Sequence, residues 1–156
     1  MADKFLQTLT RSLTGGTPTA TTPWNFVANT LSSVTGFLAN LATAAIGYAT
    51  GAGGTIMQIT TKATGVTLNT PSGQIVMMNA QLAGTTSVQF TFTNSKIAAT
   101  DTVIVNLASG NTAGSYSASV DAVAAGSCVI SLRNYSGGAL SEAVVLNFNV
   151  IKGVIA

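Results

Sequence analysis

The segment SVQFTFTN, residues 87–94, decides the fold class, because apolar and polar side chains alternate along it from Ser87 to Thr93. Its valine and two phenylalanines fall on one side, and its glutamine and threonines fall on the other. Successive side chains of a β-strand point to opposite faces, so this alternation is typical of a strand with one buried face. The segment therefore predicts a strand that covers a hydrophobic core.

Seven further segments of the same kind surround it, each short, rich in β-branched residues and bounded by Gly, Pro, Asn or Ser. They occupy residues 55–60, 65–68, 74–78, 102–108, 115–120, 127–134 and 143–152. Turn-forming residues stand between them, as in TPSG at 70–73 and SGG at 136–138. Eight short strands with no helical period among them predict a mainly β domain over residues 50–156. We expect a jelly-roll-like antiparallel β-sandwich.

The N-terminal part, residues 1–49, has a different character and predicts an arm for assembly or attachment. No charged residue occurs between Arg11 and Lys62. Within this interval, apolar residues recur at the heptad spacing of a coiled coil, at Val27, Leu31, Val34, Leu38, Leu41 and Ala45. The charges typical of e and g positions are absent, and several residues are poor helix formers. Three alternatives therefore stay open: a self-associating helix, a helix packed on its own sandwich, and an irregular arm docked on a neighbouring subunit.

The arm also supplies the candidate partner-binding residues. Interfaces between proteins are anchored by large apolar side chains, and aromatic residues are enriched among these anchors. The candidate anchors are Trp24, Phe26, Val27, Leu31, Val34, Phe37, Leu38 and Leu41. A transmembrane span is a lesser alternative, because the segment contains several asparagines and has no flanking cluster of positive charges.

The scarcity of charge is the main anomaly of the composition. Charged residues make up 6% of the 156 residues, against roughly 25% in a typical soluble domain. Such a surface is either covered by neutral polar groups, buried in an assembly or embedded in a membrane, and we expect the assembly. The formal net charge is +2 and the six basic residues are scattered, which argues against nucleic acid as a partner. No apolar signal segment follows the first residues, so we expect synthesis and assembly in a cytoplasm.

Residues suited to catalysis are few, and we expect no enzyme activity, no cofactor and no metal. The chain has no histidine and one cysteine, which removes the usual general base and any cysteine-based zinc site. Cys128 stands in a strand pattern and is expected to be a buried structural thiol. The glycines at 51–54 predict a hinge between arm and domain. A glycosidase would need two carboxylates at a fixed separation, for which the candidates are Asp101, Asp121 and Glu142.

Several phrases from about residue 45 onward carry a resemblance. They are GYATGAGG at 47–54, TGVTLN at 64–69, GQI at 73–75, FTNS at 92–95, IAATD at 97–101, GNTAG at 110–114 and GGALSEA at 137–143. Together they resemble small virion proteins of tailed bacteriophages, of the capsid decoration (cement) type. The resemblance implies a non-enzymatic structural protein on the outer capsid surface. It also implies a homotrimer that binds and stabilises the lattice of the major capsid protein.

Three alternatives remain beside this expectation. The first is a tail-fibre or receptor-binding module, in which the Ser, Thr and Asn side chains of the β domain would face a host glycan. The second is a membrane-associated virion protein, with residues 24–49 in or on the bilayer. The third is a glycan-cleaving enzyme built on the carboxylates named above.

Overall fold

The computed structural model describes residues 47–48 and 50–155 and shows an all-β arrangement of eight strands. The strands are β1 (Gly53–Met57), β2 (Val66–Thr67), β3 (Ser72–Val76), β4 (Ser87–Thr93), β5 (Thr102–Ser109), β6 (Tyr116–Ala124), β7 (Ser127–Asn134) and β8 (Val145–Ile151). Each coincides with or overlaps one of the eight segments predicted from alternation. The mainly β fold expected from the sequence is confirmed.

Two four-stranded sheets pack as a sandwich. Sheet A has the strand order β1-β3-β8-β5, and sheet B has the order β2-β4-β7-β6. The inward side chains of both sheets form one core. Within it the rings of Phe92 on β4 and Phe148 on β8 meet edge to face across the sandwich, with centroids 4.7 Å apart. Both phenylalanines are almost fully buried. The alternation in the sequence corresponds to one buried and one exposed face of each sheet.

The prediction of a purely antiparallel sandwich was wrong for two strand pairs. β1 pairs with β3 in parallel, and β2 pairs with β4 in parallel, whereas the other four pairs are antiparallel. The reason lies in the path of the chain, which alternates between sheet A and sheet B through β1, β2, β3 and β4. Two successive crossings return the chain to its first sheet running in its original direction.

The predicted hinge at residues 51–54 is only partly a connection. Gly53 and Gly54 belong to β1 and pair with Ser72 and Gly73 of β3. Gly51 precedes the strand with a positive φ of 91°, a conformation that glycine adopts without steric cost. The sheet therefore begins two residues earlier than the alternation of side chains indicates.

The predicted arm, residues 1–49, lies outside the described residues apart from Gly47 and Tyr48. Outside them too lie all the candidate anchors, Trp24, Phe26, Val27, Leu31, Val34, Phe37, Leu38 and Leu41. Their role stays a prediction.

Candidate assembly surface

Sheet A presents a solvent-facing side that we call the sheet A outer face. Alternate residues of its strands point into the core, among them Ile75, Val103, Leu146 and Phe148, so the residues between them point outward. The face is defined by Thr55, Met57, Gln74, Val76, Ile104, Asn106, Val145, Asn147, Asn149 and Ile151. It is built from neutral polar and aliphatic side chains.

A row of amides and one hydroxyl crosses the middle of this face. Strand register places Thr55, Gln74, Asn147 and Asn106 side by side on β1, β3, β8 and β5. Gln74 Nε2 donates a hydrogen bond to Asn147 Oδ1 over 3.0 Å. Because each amide carries both donors and an acceptor, the row keeps free hydrogen-bonding groups that point away from the sheet.

Aliphatic side chains flank the amide row at both ends of the sheet. Met57, Val76 and Val145 are register neighbours on one side. Ile104 and Ile151 lie on the other side, on the adjacent strands β5 and β8. Met57 is 62% exposed, Ile104 45% and Ile151 51%, so the face combines a polar centre with exposed apolar margins.

Most large exposed apolar side chains of the described residues lie on the strands of sheet A or close to them along the chain. Seven of the eight belong to the strands of sheet A or to segments that lead into or out of them, and Tyr135 is the exception. The seven are Tyr48, Met57, Ile59, Ile104, Ile151, Val154 and Ile155. The Tyr48 hydroxyl donates to the backbone carbonyl of Val150 in β8, which fixes that ring at the margin of the sheet. Met57, Ile104 and Ile151 lie on the sheet A outer face itself, and exposed apolar groups that share a face are typical of an interaction surface.

Charge is absent from the four strands of sheet A. The nearest charged pair joins the ends of its strands, where Lys152 follows β8 and Asp101 precedes β5, with Lys152 Nζ 2.5 Å from Asp101 Oδ2. The Asp101 carboxylate also accepts backbone hydrogen bonds from Ala98 and Gly153. The pKa of Asp101 is lowered to about 2. The hydrogen bond from the Ala98 backbone contributes most, and Lys152 and the Gly153 backbone add to it. The pair lies at one end of the sheet, beyond the strands, and the outer face itself carries no charge.

The outer face of sheet B differs, because it carries charges that are satisfied within it. Asp121 is the extra residue of a β-bulge in β6, and its carboxylate accepts hydrogen bonds from Ser131, Gln89 and Ser119. These hydrogen bonds lower the pKa of Asp121, and the bond from Ser131 contributes most. On the same sheet, the Arg133 guanidinium lies 5.0 Å from the centre of the Tyr135 ring, a cation–π distance.

The three candidate carboxylates occupy different places. Asp101 precedes β5, whereas Glu142 binds the backbone and side chain of Thr112, which follows β5. An eight-residue strand separates these two positions by roughly 25 Å. Asp121 lies on the outer face of sheet B. The structure therefore does not bring Asp101 and Glu142 together as the pair that glycoside hydrolysis requires.

Glu142 belongs instead to a buried polar cluster at one end of the sandwich. Lys62 Nζ donates to the carbonyls of Met78 and Glu142, and Lys62 itself is buried. Burial lowers the pKa of Lys62, while nearby Glu142 opposes that shift. The Tyr116 hydroxyl and Glu142 Oε2 are buried without a hydrogen bond of normal geometry. Burial, with Glu142 close by, raises the pKa of Tyr116 to about 12. Through Lys62, the cluster links the β1–β2 connection to the β3–β4 and β7–β8 connections.

Cys128 on β7 is buried in the core, as predicted from its strand pattern. Burial raises the pKa of its thiol to about 11, which keeps the thiol protonated and unreactive near neutral pH. Within the described residues, no group of three His, Cys, Asp or Glu side chains is arranged to hold a metal ion. The same part of the chain contains no helix of the length and apolarity needed to cross a bilayer.

The sequence pointed to candidate assembly residues in the arm, which lie outside the described residues, and it did not single out the sheet A outer face. A signal was available in β8, where asparagines alternate with buried residues in VLNFNVI. No family model matches this chain, and neither a curated protein nor a solved structure matches it.

Proposed function

We propose that this chain is a non-enzymatic structural protein of a virion, made in the host cytoplasm and bound to the outer surface of a phage capsid. There it would decorate and stabilise the lattice of the major capsid protein as a homo-oligomer, with a homotrimer expected. The observation that supports this most is the asymmetry of the sandwich. Within the described strands, the large exposed apolar side chains Met57, Ile104 and Ile151 all belong to the uncharged sheet A, while sheet B carries the charged groups Asp121 and Arg133.

An uncharged contact surface suits repeated binding to a lattice. Ion pairs on a surface weaken as salt screens them, whereas apolar and amide contacts depend little on ionic strength. Each contact can be weak, because several linked contacts raise the overall affinity by roughly 10² to 10⁴ when geometry allows them to form together. A decoration protein needs such additive contacts and does not need a catalytic site.

The arm is the element that we propose to hold the capsid. Its anchors, Trp24, Phe26, Val27, Leu31, Val34, Phe37, Leu38 and Leu41, are large apolar residues in a charge-free interval. The sequence predicted a jelly-roll-like antiparallel sandwich. We keep this description for the two groups of antiparallel strands, β3-β8-β5 in sheet A and β4-β7-β6 in sheet B.

Co-sedimentation with purified heads tests the function. Heads of the phage that encodes the chain, prepared without it, are mixed with the full-length protein at low and at high salt. We expect saturable binding that changes little with salt. The double variant L31E/L38E should bind at least about tenfold more weakly, while the control T91K, on sheet B, should bind as the parent does. Failure of the full-length protein to bind heads would contradict the decoration role.

A receptor-binding module of the tail is the second candidate, and the outer face of sheet B favours it. Gln89, Ser119, Asp121 and Ser131 form a polar hydrogen-bonded patch there, and hydroxyl, amide and carboxylate groups are those that bind sugar hydroxyls. The two functions differ in copy number, since tail modules occur in few copies and decoration proteins follow the whole lattice.

A further inference from the structure

We propose that the sheet A outer face packs against a second copy of this chain. This inference rests on the proposed function only in requiring that the chain act as an oligomer. It assigns to the β-sandwich a two-fold contact in which the same face of both copies takes part. A contact of this kind pairs copies and would join neighbouring oligomers, while a trimer would be closed by other parts of the chain.

The composition of the face is that of an interface core. Charged residues are depleted from the centres of protein interfaces, while apolar residues dominate there. The strands of sheet A carry no charge, and Met57, Ile104 and Ile151 are all substantially exposed on it. About half or more of each of these side chains is exposed in the isolated chain, whereas a second sandwich would cover them.

The amide row favours another copy of the same chain as the occupant. A partner with charged groups would have to leave them desolvated and unpaired against this face, at a cost of several kcal/mol per charge. Gln74, Asn106, Asn147 and Asn149 offer both donors and acceptors, so they can pair with the equivalent groups of another copy. A surface of this chemistry is complementary to itself.

The size of the face is adequate for such a contact. Four strands about 4.8 Å apart, each about six residues long at roughly 3.3 Å per residue, outline roughly 400 Å² in projection. Contact through this face and its rim would bury on the order of 1,000 Å² over two copies, which is less than the roughly 1,200 Å² of a standard interface and is typical of weak, transient contacts. We therefore expect a weak contact between two sandwiches, strengthened where several copies are held together on one particle.

Sedimentation velocity of the full-length chain tests the proposal, with I104K and N149K as the variants. Both positions are exposed on the sheet A outer face and are register partners on β5 and β8. The matched control is T91K, at an exposed outward position of β4 in sheet B. We expect the parent and T91K to associate at concentrations up to about 100 µM, and I104K and N149K to associate at least about tenfold more weakly. A monomeric parent, or equal association of all variants, would overturn the proposal.

A second measurement avoids placing a charge on the sheet. In I104C the new thiol should react with a maleimide quickly in dilute protein and slowly in concentrated protein, because the second copy covers it. In T91C the rate should not depend on concentration. Equal rates for I104C at both concentrations would show that another occupant, or none, covers the face, and would overturn the proposal. Binding of heads is measured separately, so loss of self-association and loss of capsid binding are distinguishable.

Discussion

Gln74 and Asn147 are joined side chain to side chain across β3 and β8, with Gln74 Nε2 donating to Asn147 Oδ1 over 3.0 Å at the centre of the sheet A outer face. The bond holds two amides in fixed orientation on an exposed surface. Side chains fixed in this way lose less entropy when a partner binds. The pair therefore lies at the centre of the proposed contact between copies.

We predict that Asn147→Asp weakens self-association at neutral pH. The change keeps the shape of the side chain and places a negative charge at the centre of the proposed contact, where burial of a charge is costly. Near pH 3.5 the new carboxyl becomes largely protonated and association should recover in part. Sedimentation velocity at both pH values measures the effect, and T93D on sheet B is the control. Unchanged association of N147D at neutral pH would count against the contact.

Gly73 is predicted to tolerate no side chain. A Cβ built there would lie 2.3 Å from the backbone oxygen of Gly54 and 3.1 Å from the Phe148 ring, so β1 and β3 would have to separate. We expect Gly73→Ala to lower the free energy of unfolding by at least about 1 kcal/mol. Urea denaturation measures this. Gly137→Ala, where a Cβ meets nothing within 4 Å, should change stability by less than about 0.5 kcal/mol, and equal effects of the two changes would contradict the packing described.

Asp101 is predicted to make stability depend on pH in the acid range. Its pKa is lowered to about 2 in the folded chain by the backbone hydrogen bond from Ala98 and by Lys152, while the unfolded chain has the ordinary value near 3.9. The stabilisation is therefore complete above the unfolded pKa and is lost as pH falls from about 4 towards 2.

The comparison of the parent with Asp101→Asn isolates this contribution. Urea midpoints should be lower for D101N at pH 7, and the two proteins should converge as the pH approaches 2. Asp121 and Glu142, whose pKa values are also lowered, remain in both proteins and leave a shared dependence. A constant difference between the two midpoints across this range would show that Asp101 is not held as described.

Cys128 is predicted to report on unfolding. Its pKa of about 11 and its burial beneath sheet B leave little thiolate at pH 8, and the thiolate is the reactive form. A chromogenic disulfide reagent should react at least about a hundredfold more slowly with the native chain than with the chain in urea. T91C supplies an exposed thiol on the same sheet as a control. Rapid native reaction of Cys128 would mean that the core opens more readily than its packing indicates.

The strands could be predicted from the sequence because alternation is a local property. The seventh predicted segment matches Ser127–Asn134 of β7 at both ends. The last predicted segment overshoots β8 at both ends. At its start, the Val144 carbonyl does accept a hydrogen bond from Met77, just beyond the paired residues. β6 extends to Ala124, beyond the predicted end at residue 120, because the bulge at Asp121 interrupts the period of two. The second half of the strand could therefore not be recognised from alternation.

The sheet A outer face could not be predicted, because alternation shows which residues share a side of one strand but not which strands are neighbours. Gln74 and Asn147 are separated by 73 positions, and the parallel pairing of β1 with β3 depends on the path of the chain between the sheets. The carboxylates show the same limit, since nothing in their spacing placed Asp101 and Glu142 at opposite ends of β5.

The proposed role as a decoration protein is tested most directly by electron cryomicroscopy of intact virus particles that contain this chain. Density for the β-sandwich repeated over the icosahedral head, in step with the major capsid protein, is the predicted result. Such a map would also show whether the arm lies on the capsid and whether sheet A faces a second copy. Density confined to the tail, or absent from the head, would contradict decoration and favour the receptor-binding alternative.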